Sequence, residues 1–129
     1  MIRVKFCGLT RFEDARLGAE LGAWALGFIF YEKSPRFIAP EVAARIIERL
    51  PSGPLTVGVF VNATPERIEE VSRVAGLSAV QLHGEESVDW MNQLSRPVIR
   101  AFRPASQTDV EASRGWERAH AWLVDAAVK

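Results

Sequence analysis

Six short apolar runs, at 4–7, 25–30, 55–61, 79–82, 98–102 and 121–125, recur along this chain at about the length of one strand plus one helix. That recurrence constrains the fold more than any other feature. A strand that returns through a helix to a parallel neighbour crosses over right-handed, so a series of such units forms either a doubly wound sheet or a (β/α) barrel. The run Ala-Leu-Gly-Phe-Ile-Phe at 25–30 is apolar almost throughout, the pattern of a strand buried on both faces under helices.

The segments between the runs read as helices. In 11–21, Phe12, Ala15, Leu17, Ala19 and Leu21 are spread among charges, and Gly22 is placed to end a helix. Thr10 and Glu13 have the spacing of a capping box. The stretch 31–39 is too polar and irregular to extend the second strand and is expected to be a loop. Pro40 then opens a helix with Val42, Ile46, Ile47 and Leu50 on one side. Thr64 and Pro65 cap and start the next, with Ile68 and Val71 facing inward. Ser87 is expected to cap a helix after the turn at 83–85, and a weaker helical stretch is expected somewhere between Thr108 and Arg118.

Composition narrows the class of protein. With 129 residues, one domain over 1–129 is expected. Sixteen basic residues balance sixteen acidic ones, which leaves no electrostatic footprint for nucleic acid or an anionic membrane and favours a small neutral or anionic ligand. The chain has no apolar run of spanning length and no signal-peptide core, and its single cysteine cannot form an internal disulfide; a reducing, cytoplasmic setting is the expectation.

The choice between doubly wound sheet and barrel turns on where polar groups fall. No G-x-G-x-x-G or G-x-x-x-x-G-K-[ST] pattern follows the first strand, which weakens a nucleotide-binding reading. Cys7, Arg36, Asn62, His83, Arg103 and Asp125 instead sit at the C-terminal ends of different strands or in the loops after them, where a (β/α) barrel builds its active site. Alternation in the first strand puts Lys5 and Cys7 on one face and Val4 and Phe6 on the other.

Five motifs in order resemble the phosphoribosylanthranilate isomerase family of tryptophan synthesis. They are Val-Lys-Phe-Cys-Gly-Leu-Thr at 4–10, the run from Leu26 through Ser-Pro-Arg to Ile38, Val-Gly-Val-Phe-Val-Asn at 57–62, Val-Gln-Leu-His-Gly-Glu-Glu at 80–86 and Trp-Leu-Val-Asp at 122–125. The resemblance implies a (β/α)8 TIM barrel, of which only about six βα units are present here. It also implies an Amadori rearrangement of N-(5-phosphoribosyl)anthranilate, a phosphorylated aminosugar, to the carboxyphenylamino-deoxyribulose phosphate, with no metal and no organic cofactor.

Carried over by position, Cys7 corresponds to the general base, Asp125 to the general acid and Arg36 to the residue that holds the anthranilate carboxylate; Gln81 and His83 are placed on the pocket wall. The chemistry asks for an acid to open the furanose ring and a base to take the C2 proton, and Lys5 or a helix N-terminus is the expected support for a Cys7 thiolate. Plainer readings stand beside these: a lone cysteine as a small buried hydrophobe, Arg36 as a solvated loop charge, His83 as a turn residue and Asp125 as a helix cap. Barrels of this type run to about 200 residues or more and build their phosphate site after strands seven and eight. Strands one and six are therefore expected to be open edges with apolar surface, suited to self-association. Another phosphosugar barrel, or an inactive partial barrel that pairs with a second chain, is the alternative function.

Overall fold

The computed structural model describes residues 2–102 and 113–124. Its order is β1 (Lys5–Phe6), α1 (Phe12–Glu20), β2 (Ala25–Ile29), α2 (Pro40–Ile47), β3 (Leu55–Phe60), α3 (Pro65–Ala75), β4 (Ala79–Leu82), α4 (Val88–Met91), β5 (Val98–Phe102), a 3-10 turn (Ser113–Trp116) and β6 (Ala121–Val124). Every pair of neighbouring strands is parallel, in the sequential order β1 to β6. Sequential order is what a right-handed crossover at every step produces when all helices lie on one side of the sheet.

Register fixes which side chains share a face. Lys5 pairs with Ala25, Ala25 with Leu55, Val57 with Ala79, Gln81 with Ile99, and Ile99 with Ala121. Odd-numbered strand residues therefore face one way and even-numbered ones the other. Ala25, Val57, Ala79 and Ile99 form the odd-face cluster, flanked by Trp24, Leu55, Ala121 and Leu123. Leu26, Phe28, Phe60, Val80, Leu82 and Val98 belong to the larger cluster that the helices cover with Ala15, Ala43, Ile46, Ile68, Val71 and Ala75.

The sheet is curled, with the small odd face inside. Trp24 precedes β2 and His120 precedes β6, four strand positions away, which is about 19 Å in a flat sheet at about 4.8 Å per strand. Their rings nevertheless stack with centroids 6.4 Å apart and planes 8° from parallel. The helices wrap the convex side, and the concave side is the interior of a partial barrel.

Several local expectations hold. Thr64 accepts a hydrogen bond from the Arg67 N–H at 3.2 Å and caps α3, with Ile68 and Val71 buried. β2 is buried at all five positions. Gly22, after the end of α1, has φ +82°, a conformation open to glycine at little cost. Others do not hold. Thr10 is outside the α1 cap: Arg11 is the N-cap, no side chain caps the helix, and Glu13 turns to Arg11 at 3.7 Å. Ser87 is the N-cap of α4 by position but makes no side-chain cap bond. In α2 the buried side is Pro40, Ala43 and Ile46, while Val42 is exposed, because the helix turns the fully buried Ala43 toward the core cluster. Of the helix expected between Thr108 and Arg118, the described part is the 3-10 turn, whose Trp116 is buried. The sheet edges leave even-face apolar side chains exposed, Val4 just before β1 and Phe6 on it, and Trp122 and Val124 on β6.

One half-buried carboxylate ties α3 to the approach to β5. Glu69 on α3 accepts the Ser95 N–H and the Ser95 hydroxyl, both at 2.8 Å, at the approach to β5. The Ser95 N–H, with lesser help from its hydroxyl and from Arg96, holds the Glu69 carboxyl below its ordinary 4.5 despite partial desolvation. A depressed folded-state value contributes stability that is fully present above pH 4.5 and is lost as pH falls through the folded value. Glu69→Gln is expected to flatten the fall in urea midpoint between pH 6 and pH 3; an unchanged slope would contradict this.

Candidate active site

At the C-terminal end of β1 the chain turns through Cys7 and Gly8. The odd face carries Lys5 and Cys7 inward over β2, where Gly27 leaves room: a Cβ there would stand 3.1 Å from both the Cys7 sulfur and the Lys5 Nζ. The ammonium and the thiol thus lie within about 6 Å of each other. Cys7 is exposed, which sets aside the buried-hydrophobe reading. Gly8 has φ +78°, and a Cβ on it would meet the Arg36 guanidinium at 2.5 Å. Glycine is required there twice, by conformation and by the side chain lying across it.

Arg36 comes from the loop between β2 and α2. Its backbone N–H donates to the Ser34 hydroxyl at 3.1 Å, and its Nη1 donates to the Cys7 carbonyl at 3.3 Å. A loop arginine is thereby drawn back to the thiol's own peptide, 29 residues earlier in the chain. Arg36 remains exposed to solvent while it makes this contact.

Gln81 and His83 project inward from β4. Gln81 is buried within the sheet interior, and its amide nitrogen lies 3.2 Å from His83 Nδ1. With the amide nitrogen donating, the neutral ring carries its proton on Nε2. The Gln81 carbonyl oxygen is buried and has no hydrogen-bond partner among the described residues, which leaves an acceptor available at the concave face. Cys7 and Arg36 form one group, after β1 and β2, and Gln81 and His83 another, on and just after β4. Asp125 and Arg103 lie outside the described residues; β6 is described as far as Val124, with Leu123 against the odd-face cluster. A cleft of about 250 Å³ between the loops after β2 and β3, walled by Phe30, Tyr31, Phe37 and Arg67 among others, includes none of these site residues.

Sequence reasoning missed the polar centre beneath the site. Glu86, its side chain fully buried, accepts the Arg100 Nη1 at 2.7 Å, the Asn62 N–H at 2.7 Å and the Gly84 N–H at 2.8 Å. Arg100 also donates to the Gly84 carbonyl at 2.8 Å and the Leu82 carbonyl at 3.3 Å, with its guanidinium 4.6 Å from the Trp116 ring centroid. Asn62, at φ +55°, accepts the Glu85 N–H at 2.8 Å. A signal existed: Arg100 stands in an otherwise apolar strand on the buried side with Val98, and a charge so placed requires a carboxylate close by.

The fold and the site define a parallel (β/α) barrel-type chain with a thiol, a guanidinium and an imidazole–amide pair at the C-terminal end of its sheet. A family model described as N-(5'phosphoribosyl)anthranilate (PRA) isomerase matches residues 4–128, and the chain belongs to that family. It is 46% identical over 126 residues to an N-(5'-phosphoribosyl)anthranilate isomerase of Citrifermentans bemidjiense, covering 98% of this chain and 61% of that one. The crystal structure of phosphoribosyl anthranilate isomerase from Thermotoga maritima superposes with a TM-score of 0.94 at 42% identity, over 100% of this chain and 63% of that chain. A phosphoribosyl anthranilate isomerase in complex with reduced 1-(o-carboxyphenylamino)-1-deoxyribulose 5-phosphate superposes with a TM-score of 0.92 at 43% identity, over 98% of this chain and 66% of that one. The chain spans about half to three-fifths of the length of the curated relatives it matches.

Proposed function

We propose that this chain carries the isomerase chemistry of its family: the Amadori rearrangement of N-(5-phosphoribosyl)anthranilate in tryptophan synthesis. The observation that supports the reading is the return of Arg36 across Gly8 to the Cys7 carbonyl, a guanidinium beside a thiol at the C-terminal strand ends. In this reading Arg36 holds the anthranilate carboxylate. Asp125 gives a proton to the furanose ring oxygen, and the ring opens to a Schiff base. Cys7, as thiolate, takes the C2 proton, and the resulting enolamine passes to the ketose with no net gain or loss of atoms. Lys5, within about 6 Å, sets its charge opposite that thiolate. Gln81 and His83 form the facing wall, with the Gln81 carbonyl oxygen as its acceptor.

The test is turnover, read as the fall in fluorescence of the anthranilate adduct. Arg36→Leu is expected to raise KM by roughly 10- to 100-fold, as for loss of a hydrogen bond to a charged group worth about 1.5–3 kcal/mol, with a smaller effect on kcat. An unchanged KM would remove Arg36 from the carboxylate site.

A cytoplasmic setting is part of the proposal. It is supported by the exposed free thiol and by the absence, among the described residues, of a helix long and apolar enough to cross a membrane. A second reading, association through the edges, is favoured by the exposed Val4, Phe6, Trp122 and Val124. Sedimentation that gives a monomer at all concentrations would dismiss it.

A further inference from the structure

We infer that the buried Glu86–Arg100 pair is a positioning device that sets the direction of the His83 ring; this rests on the reading of β4 as a substrate-facing wall. The peptide units on both sides of the His83 Cα are held by the pair. On the N-terminal side, Arg100 Nη1 takes the Leu82 carbonyl at 3.3 Å while the His83 N–H donates to the Phe60 carbonyl at 2.9 Å. On the C-terminal side, the Gly84 N–H, which shares its peptide plane with the His83 carbonyl, donates to Glu86 at 2.8 Å. Arg100 Nη2 then takes the next carbonyl, that of Gly84, at 2.8 Å.

With the planes before and after it fixed, φ and ψ of His83 have little freedom, and the inward direction of its side chain follows. Gln81 completes the constraint by engaging Nδ1 at 3.2 Å. The loop after β3 is tied to the same centre, since Asn62 donates its N–H to Glu86 and accepts the Glu85 N–H. One guanidinium holds a carboxylate and two carbonyls together because its donors are arranged as a rigid planar fork; an ammonium cannot hold all three in that geometry.

The chain has two histidines, and the second supplies the control. His120 stacks on Trp24 at the N-terminal end of the sheet, away from the pair. Ring-nitrogen NMR of the histidine-labelled chain is expected to show His83 in wild type as one tautomer, with Nδ1 unprotonated. Arg100→Lys and Glu86→Gln, the second of which keeps the shape of the carboxylate, are each expected to reduce the separation of the two His83 nitrogen shifts by half or more, with His120 unmoved.

The proposal is overturned by a His83 spectrum unchanged in both variants, by random-coil His83 in wild type, or by joint loss of both histidines' native signals, which would make the pair a general brace. None of this needs turnover. Addition of the reduced carboxyphenylamino-deoxyribulose phosphate to wild type tests the isomerase reading separately: an unmoved His83 counts against that reading while the variants still decide the positioning role.

Discussion

Arg100→Leu is expected to lower the stability of the chain by about 3–5 kcal/mol, the cost of stranding one member of a buried ion pair. Against a typical total of about 5–15 kcal/mol, a loss of that size brings such a domain close to unfolding. The leucine would fill part of the space against Phe102 and Trp116, so packing is not the main loss. What remains is a Glu86 carboxylate with no exposed side-chain surface, deprived of its counter-charge and of its 2.7 Å partner. The Leu82 and Gly84 carbonyls lose their donors at the same time. Pairing Arg100→Leu with Glu86→Leu is expected to recover much of the stability, because removal of both charges costs less than exposure of one. Urea unfolding of the two single variants and the double variant measures this. A double variant as unstable as the sum of the singles would show that the charges are not coupled.

Cys7→Ala is expected to lower kcat by about 10²–10⁴, the contribution of a positioned general base, while moving the melting temperature by only a few degrees. The split between the two effects follows from the site. The thiol is exposed at the end of a two-residue strand and packs over Gly27, so little is lost when it is truncated. If it takes the C2 proton, its described neighbours do not replace it: the Lys5 ammonium has no lone pair to accept one, and Arg36 donates to the Cys7 carbonyl. A variant with near-normal kcat would exclude Cys7 as the base. A variant with normal KM and lost kcat would support it.

The inner strands were legible because burial on both faces leaves an apolar run, and the spacing of all six left room for a helix between them. Helix ends were less so. Thr64 capped as expected, but Thr10 did not, since the chain leaves β1 through the left-handed Gly8 and enters α1 only at Phe12. Val42 matched the helical period of a buried stripe yet faces solvent, because which part of an apolar stripe is covered depends on where the neighbouring sheet lies.

The site divides in the same way. Cys7, Arg36 and His83 could be placed at C-terminal strand ends from alternation and motif order, and Gln81 two residues before His83 shares its face. The return of Arg36 to Cys7 was not legible: it depends on a loop crossing Gly8, and no local rule specifies the reach of a side chain between residues 29 apart. Glu86 looked like one of two acids in a turn, and Arg100 like one charge in a strand.

The sequence by itself determined the alternation of strand and helix, the shared face of Lys5 and Cys7 and the chain order of the polar groups at the strand ends, because these follow from periods of two and 3.6 residues and from chain order. Only the tertiary structure decided the curl that brings Trp24 to His120, the pairing of Glu86 with Arg100 and the placement of Arg36 on Cys7. Each of those joins residues distant in the chain, and such contacts form only where packing the whole sheet against its helices puts their backbones within reach.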